Sequence, residues 1–337
     1  MRPMDAKPLG VAVVGCGYWG PNLVRNFDTG RGTKVRWAVD LDPAKLRAIG
    51  EAHPSVRLTS SYDEVLADPE TTIVSVATPV DTHFKVAKAA LEAGKNVLVE
   101  KPITANVAHA EELVALARKK GLVLACDHTF VFTGAVRKIK ELVSSGKLGQ
   151  VLYFDSVRAN LGVFQRDVNV IWDLAPHDLS ILDHLVGRLP TSVIAVGACH
   201  AGQNLENIAY LTLIFEGQLI AHIHVNWLAP IKIRQILIGG SEKMVVYDDM
   251  EISEKVKVYD KGISVSANEM LIGYRTGDMW APQLDRTEAL RLVVDHLVEC
   301  IREKKTPIND GEAALRVLKV LEAARVSIRE GGRRVEV

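Results

Sequence analysis

The sequence predicts an α/β protein in two parts. The first, residues 1–126, is a doubly wound parallel sheet, and the second, residues 127–337, is an α+β domain with an open, mostly antiparallel or mixed sheet. Two observations predict this. Up to Cys126, short β-branched apolar runs alternate with helical patterns, as parallel strands covered on both faces do. Beyond Asp127, strand-like runs follow one another without helices between them, which implies hairpins. At 337 residues the chain can bury two cores.

In order, the amino-terminal runs are 10–14, 35–39, 72–77, 96–99 and 122–126, with a weaker one at 56–58. Between them, Asp42-Pro43 reads as a helix cap followed by proline at the first helical position. Ser61 and Glu64 have capping-box spacing, and Gly94 and Gly121 suit the left-handed residue that ends a helix. Later, a helix over 133–145 ending at Gly146 precedes a strand over 151–159 and a helical segment near 178–186. Strand-like runs at 192–198, 208–215, 218–227 and 231–239 follow. Amphipathic helices over 287–304 and 311–329 close the chain.

Composition excludes several function classes. Lysine plus arginine total 41 and aspartate plus glutamate total 41, so no basic excess exists to neutralise nucleic-acid phosphates. No apolar run reaches a membrane span, and residues 1–8 lack a signal-peptide core. Four separated cysteines form no Cys-x-x-Cys pair, so neither a disulfide framework nor a zinc site is expected, and a reducing, cytoplasmic setting is. Cys16 reads as a small residue in a tight turn.

The chemistry starts where the first strand enters Gly15-Cys16-Gly17-Tyr18-Trp19-Gly20. A Gly-x-Gly-x-x-Gly loop between strand and helix is the signature of a Rossmann dinucleotide site, with pyrophosphate at the helix N-terminus. Asp40 ends the second strand, where a carboxylate accepts the adenosine ribose hydroxyls and repels the extra phosphate of NADP. NAD(H) is therefore favoured over NADP(H). Thr78-Pro79 follows the fourth strand, on the nicotinamide side. His83 is either part of that side or a helix-start residue.

Glu100-Lys101-Pro102 closes the fifth strand at the carboxyl edge of the sheet, where open α/β sheets bind ligands. Lys101 can exchange a hydroxyl proton or stabilise a developing alkoxide. The isomer of the bond to Pro102 stays open. Asp173 and His177, four residues apart, fall on one side of a helical turn, as a capped helix with a satisfied histidine or as a carboxylate–imidazole acid/base pair. Pro176 fits a first helical turn. His128, Arg158, Asn160, Asn169 and Trp172 are candidate substrate contacts. His222 and His224 share one face of a strand, and with no third ligand in sight a sheet-surface or subunit-contact role is preferred to a metal site.

These residues carry a family resemblance. Residues 13–20, Ala77-Thr-Pro-Val-Asp-Thr-His83, 93–102 with Glu-Lys-Pro, the Asp173…His177 element and the segment 307–318 together resemble the Gfo/Idh/MocA oxidoreductases. The resemblance spans nearly the whole chain. It implies an NAD(P)-dependent dehydrogenase acting on a sugar, nucleotide-sugar or cyclitol hydroxyl. Lys101 then matches the family's catalytic lysine, and Asp173 and His177 match the pair that completes the site, with the proton-exchanging role open between Lys101 and His177. It also implies a homodimer or homotetramer built on the carboxy-terminal sheet. The rival readings are an NAD-dependent glycoside hydrolase and a non-catalytic sensor of the same fold. Intact Lys101 and His177 count against the sensor.

Overall fold

A computed structural model describes residues 7–162, 168–200, 202, 204–265 and 272–337. The chain runs β1 (Leu9–Val14), α1 (Gly20–Asp28), β2 (Thr33–Val39), α2 (Pro43–Ala52), β3 (Arg57–Thr59), α3 (Tyr62–Ala67), β4 (Thr71–Val76), α4 (Val80–Glu92), β5 (Asn96–Val99), α5 (Val107–Lys120) and β6 (Leu124–Cys126). A 3₁₀ turn at Thr129–Phe132 leads to α6 (Gly134–Ser144), β7 (Val151–Leu161) and α7 (Val170–Val186). Next come β8 (Ser192–Ala198), β9 (Ile208–Ile214), β10 (Ile220–Asn226), β11 (Leu228–Gly240), β12 (Met244–Asp248), β13 (Val256–Val265) and β14 (Ile272–Trp280). The helices α8 (Ala289–Glu303) and α9 (Gly311–Arg329) and the short β15 (Val335–Glu336) end it.

The first sheet has the order β3-β2-β1-β4-β5-β6 and is parallel at every pairing. Its order reverses between β1 and β4, the place where a doubly wound sheet opens a crevice for ligand. The core explains why these segments read as continuous apolar runs. Val11, Val13, Val35, Ile73 and Leu98 of the strands pack with Leu23, Val24 and Phe27 of α1. Leu290, Val293, Val294 and Leu297 of α8 complete that cluster. The contacts therefore divide the chain into one unit of Met1–Phe132 with Thr287–Leu318 and another of Thr133–Arg286 with Lys319–Val337. This differs from a single division after Cys126, because the apolar stripe of α8 is buried on the first unit.

The second sheet has the order β14-β13-β12-β11-β7-β10-β9-β8-β15. Among the described residues its pairings are antiparallel except β7 with β10, so the sheet is mixed. Strand periodicity sets its two faces. Ala209, Leu211 and Leu213 of β9 and Ala221, Ile223 and Val225 of β10 are buried on the face that meets α7. Tyr210, Thr212, His222 and His224 stand on the other face. There Tyr210 stacks on His224 with ring centres 4.5 Å apart, and Thr212 Oγ1 lies 3.2 Å from His222 Nδ1.

Local expectations fare unevenly. Asp42 caps α2 through a bond from Ala44 N–H, and Gly94 and Gly121 take φ of 77° and 64°. Ser61 precedes α3 but forms no capping bond; its own N–H goes to Thr59 Oγ1. The helix expected near 178–186 begins eight residues earlier, at Val170, because Asn169 caps it by accepting from Trp172 N–H. Pro176 consequently lies in the second turn rather than the first, where it has no N–H to give the Trp172 carbonyl.

Candidate active site

In the first unit the glycine loop is shaped by contacts that leave no room for side chains. Gly15 has φ 95°, and a Cβ there would meet the Ala77 carbonyl carbon at 2.6 Å. A Cβ on Gly20 would meet the Gly15 carbonyl oxygen at 2.2 Å, so the start of α1 packs backbone to backbone on the loop that leaves β1. Gly17 is the opposite case: a Cβ there would meet nothing within 4 Å, and its backbone is bare to an approaching ligand. That combination fits a dinucleotide, whose pyrophosphate needs close backbone approach at a helix start.

Asp40 sits beside this loop but already serves it. Its Oδ2 accepts from Cys16 N–H at 2.7 Å and its Oδ1 from Asp42 N–H at 2.9 Å, with Lys45 Nζ at 3.9 Å. A carboxylate offers about four acceptor sites, so ribose hydroxyls remain within its capacity. Burial, followed by the Asp40 charge, pushes the Cys16 thiol up to about 12, which keeps it protonated and inert. Tyr18 is almost fully exposed, whereas the Trp19 indole N–H donates to Asp127 Oδ2 at 3.0 Å.

The carboxyl ends of β4, β5 and β6 carry the remaining groups. Thr78 and Pro79 lead into α4, and Thr78 Oγ1 accepts from Thr82 at 2.7 Å. His83 is buried, with Nδ1 2.9 Å from the Pro102 carbonyl oxygen and Nε2 2.8 Å from the Thr78 carbonyl oxygen. Burial lowers its pKa, and those two carbonyls oppose the shift. A neutral His83 ring therefore donates to one of these two loop carbonyls, and packs between both. Glu100 N–H continues the sheet by donating to Val76 O, and Lys101 follows with a cis bond to Pro102.

Asp127, which sequence reasoning did not single out as a site residue, stands one step beyond the Val99–Cys126 pair of β5 and β6. It is buried and accepts from both Trp19 and Thr129. Sheet register alone would have found it, since it lies across from Glu100. His128 is buried too, and burial, then the Lys101 charge, lowers its pKa to about 4, leaving a neutral ring near pH 7.

In the second unit α7 sets Asp173 and His177 one turn apart, as their spacing predicts. Both are partly exposed. The Trp227 indole, from the strand end after β10, donates to Asp173 Oδ2 at 3.2 Å and fixes that carboxylate. Three expected substrate contacts have structural employment here. Arg158 is buried in a bidentate pair with Asp178, at 2.7 and 3.1 Å. Burial works against that cation, and the carboxylate more than offsets it, raising the guanidinium pKa. Asn169 caps α7 and donates to Glu206 Oε2 at 2.8 Å. Trp172 is buried, with the Arg325 guanidinium 5.7 Å from its ring centre. Asn160, near the end of β7, is partly exposed. Among the described residues no group of three or more His, Cys, Asp or Glu is arranged to hold a metal ion, and no helix is long and apolar enough to cross a membrane.

A parallel sheet with a bare-backbone glycine loop at its switch point is the arrangement that receives a dinucleotide. The family is settled by comparison. Residues 9–128 match the model of the oxidoreductase family with an NAD-binding Rossmann fold, and residues 136–246 match the Gfo/Idh/MocA carboxy-terminal domain. The chain belongs to the Gfo/Idh/MocA oxidoreductase family. It is 32% identical over 213 residues to the uncharacterised oxidoreductase YhhX of Escherichia coli, a match spanning 60% of this chain and 61% of that protein. It is 27% identical to UDP-N-acetylglucosamine 3-dehydrogenase of Acidithiobacillus ferrooxidans, across 81% of this chain and 83% of that one. Among solved structures, GenD2 from gentamicin A biosynthesis, in complex with NAD, superposes with TM-score 0.83 at 26% identity, covering 98% and 97% of the two chains.

Proposed function

We infer that the protein is a dehydrogenase that moves a hydride between NAD and a secondary hydroxyl, or the matching ketone, of a sugar, nucleotide sugar or cyclitol. The observation that carries this reading is the double tie between the cofactor loops and the lysine loop. His83 bridges Thr78 and Pro102, and Trp19 of the glycine loop bonds Asp127 beside Glu100. A surface lysine needs no such bracing; a reacting group held to about half an ångström does.

With a dinucleotide's pyrophosphate held at the glycine loop, its nicotinamide would supply the hydride donor or acceptor. Lys101 supplies a cation for the substrate oxygen as its charge develops. His177 exchanges the hydroxyl proton, with Asp173, pinned by Trp227, orienting the site. Asp40 favours NAD over NADP by charge, and the nearby Lys45 softens that preference. The sugar-directed substrate class draws support from the relatives named above. The outer face of the second sheet, with Tyr210 and Ile220 exposed, is our candidate surface for self-association.

Nicotinamide absorbance, followed while the protein meets NAD and a panel of nucleotide sugars, free sugars and inositols, tests the assignment. Turnover that disappears in Lys101→Met supports it. Tight NAD binding with no absorbance change but release of free sugar would replace it with transient-oxidation glycoside hydrolysis.

A further inference from the structure

Two carboxyl groups meet at the carboxyl ends of β5 and β6. Val99 pairs with Cys126 in parallel register, and Asp127 N–H donates to Val99 O at 2.7 Å, so Glu100 and Asp127 step off adjacent strands together. Their four oxygens are occupied unequally. Asp127 Oδ2 accepts from the Trp19 indole and Oδ1 from the Thr129 hydroxyl at 2.7 Å. Glu100 Oε2 accepts from Lys101 N–H at 3.2 Å, while Glu100 Oε1 is buried with no donor facing it among the described residues.

A buried carboxylate oxygen without a donor loses its hydration with nothing to replace it. A protonated carboxyl eases that loss, because the same oxygen becomes a donor. The occupancy says which oxygen carries the proton. Oε2, which accepts, is the carbonyl oxygen, and Oε1 is the hydroxyl. Asp127, taking two donors already, is the anion. We propose that Glu100 and Asp127 hold one proton in common, with Glu100 as the acid, and that Asp127 is a positioning residue presenting a single negative charge to the Lys101 loop.

The charge balance supports this. Burial first, then the charge and hydrogen bond of Asp127, raises the Glu100 pKa well above the carboxylate range, with Lys101 opposing. The other titratable groups on these strands are neutral near pH 7. Burial pushes the Cys126 thiol well up, and His128 is held down to about 4. One anion therefore faces one lysine, where two ionised carboxyls would leave an uncompensated buried charge.

The positioning role rests on Lys101 being the reacting cation; the shared proton does not. The test has two readouts on the full-length protein. The first is the infrared carbonyl stretch of protonated carboxyl, taken as the wild-type minus Glu100→Gln difference at neutral pH, with and without NAD. The proposal expects this band in wild type and not in Glu100→Gln. In Asp127→Asn it persists but moves to higher frequency, because the hydroxyl has lost its anionic acceptor. No band in wild type would overturn the shared proton without reference to any activity.

The second readout is the pH profile of NAD-dependent oxidation. Asp127→Asn takes away the anion beside the lysine loop, so the limb that Lys101→Met abolishes moves to lower pH. Whatever Glu100→Gln does to the rate, it removes no charge and leaves the midpoint in place. Equal displacement in both variants would show Glu100 ionised and overturn the proposal. A limb that survives Lys101→Met would overturn the positioning role, while the infrared band still decides the proton.

Discussion

His83 Nδ1 lies 2.9 Å from the carbonyl oxygen of Pro102, so a ring on α4 holds the loop that carries Lys101. The other nitrogen faces Thr78 O. A neutral imidazole donates one proton, which ties one loop to α4, and a protonated ring ties both. Replacing His83 with Phe fills the space but removes the tie. Losing a buried hydrogen bond of this kind costs ~1–2 kcal/mol, so kcat/KM should fall about tenfold. Steady-state kinetics would check this, with circular dichroism confirming the fold. Unchanged kinetics would show that the loop is held by other means.

Asp40 predicts a coupled effect. In Asp40→Ala the negative charge that repels a 2′-phosphate is gone, and Lys45 is left as the nearby cation. The NAD-to-NADP ratio of kcat/KM should drop by roughly tenfold or more, as one short-range charge interaction near a surface allows. Cys16 N–H loses its acceptor at the same time, so thermal stability should fall as well. A preference for NAD that survives intact would place discrimination elsewhere.

Arg158 and Asp178 form a buried pair, with both side chains at most 5% exposed. Asp178→Asn removes the carboxylate that pairs bidentately with the guanidinium and should cost about 3–5 kcal/mol in chemical denaturation. Arg158→Met combined with Asp178→Leu should recover much of that loss, since an apolar pair of similar volume removes both desolvation penalties. If Asp178→Asn instead leaves stability alone and abolishes turnover, Arg158 serves substrate rather than the fold.

His128 makes the fold sensitive to acid. Its pKa is about 4 when folded, against about 6.5 when unfolded. The unfolded chain thus binds the proton more readily, and the stability held above pH 6.5 is lost as pH falls through 4, amounting to roughly 3 kcal/mol. His128→Asn should move the acid-unfolding midpoint to lower pH, read by tryptophan fluorescence. An unmoved midpoint would mean that other groups govern acid unfolding.

The amino-terminal sheet was legible because parallel strands buried on both faces leave continuous apolar runs such as Val11–Val14. The strands β13 and β14 were not, since Tyr259, Lys261, Tyr274 and Arg275 mix polar and apolar positions on a thinly covered edge. Ser61 and Glu64 had the spacing of a capping box, yet Thr59 drew the Ser61 amide away. Lys101, Asp173 and His177 could be chosen by residue type and spacing. Asp127 and Trp227 could not, because each acts through a partner more than fifty positions away that only sheet register or packing reveals.

Isotope transfer would show whether a hydride moves to nicotinamide under the control of Lys101. The protein would be incubated with NAD and a turned-over sugar carrying deuterium at each hydroxyl-bearing carbon in turn, and the nicotinamide and product weighed by mass spectrometry. Deuterium from a single carbon should appear on the nicotinamide with an equal amount of ketone, and Lys101→Met should abolish this while still binding NAD. Deuterium returned to product without net nicotinamide reduction, or transfer that persists in Lys101→Met, would contradict hydride transfer under the control of Lys101.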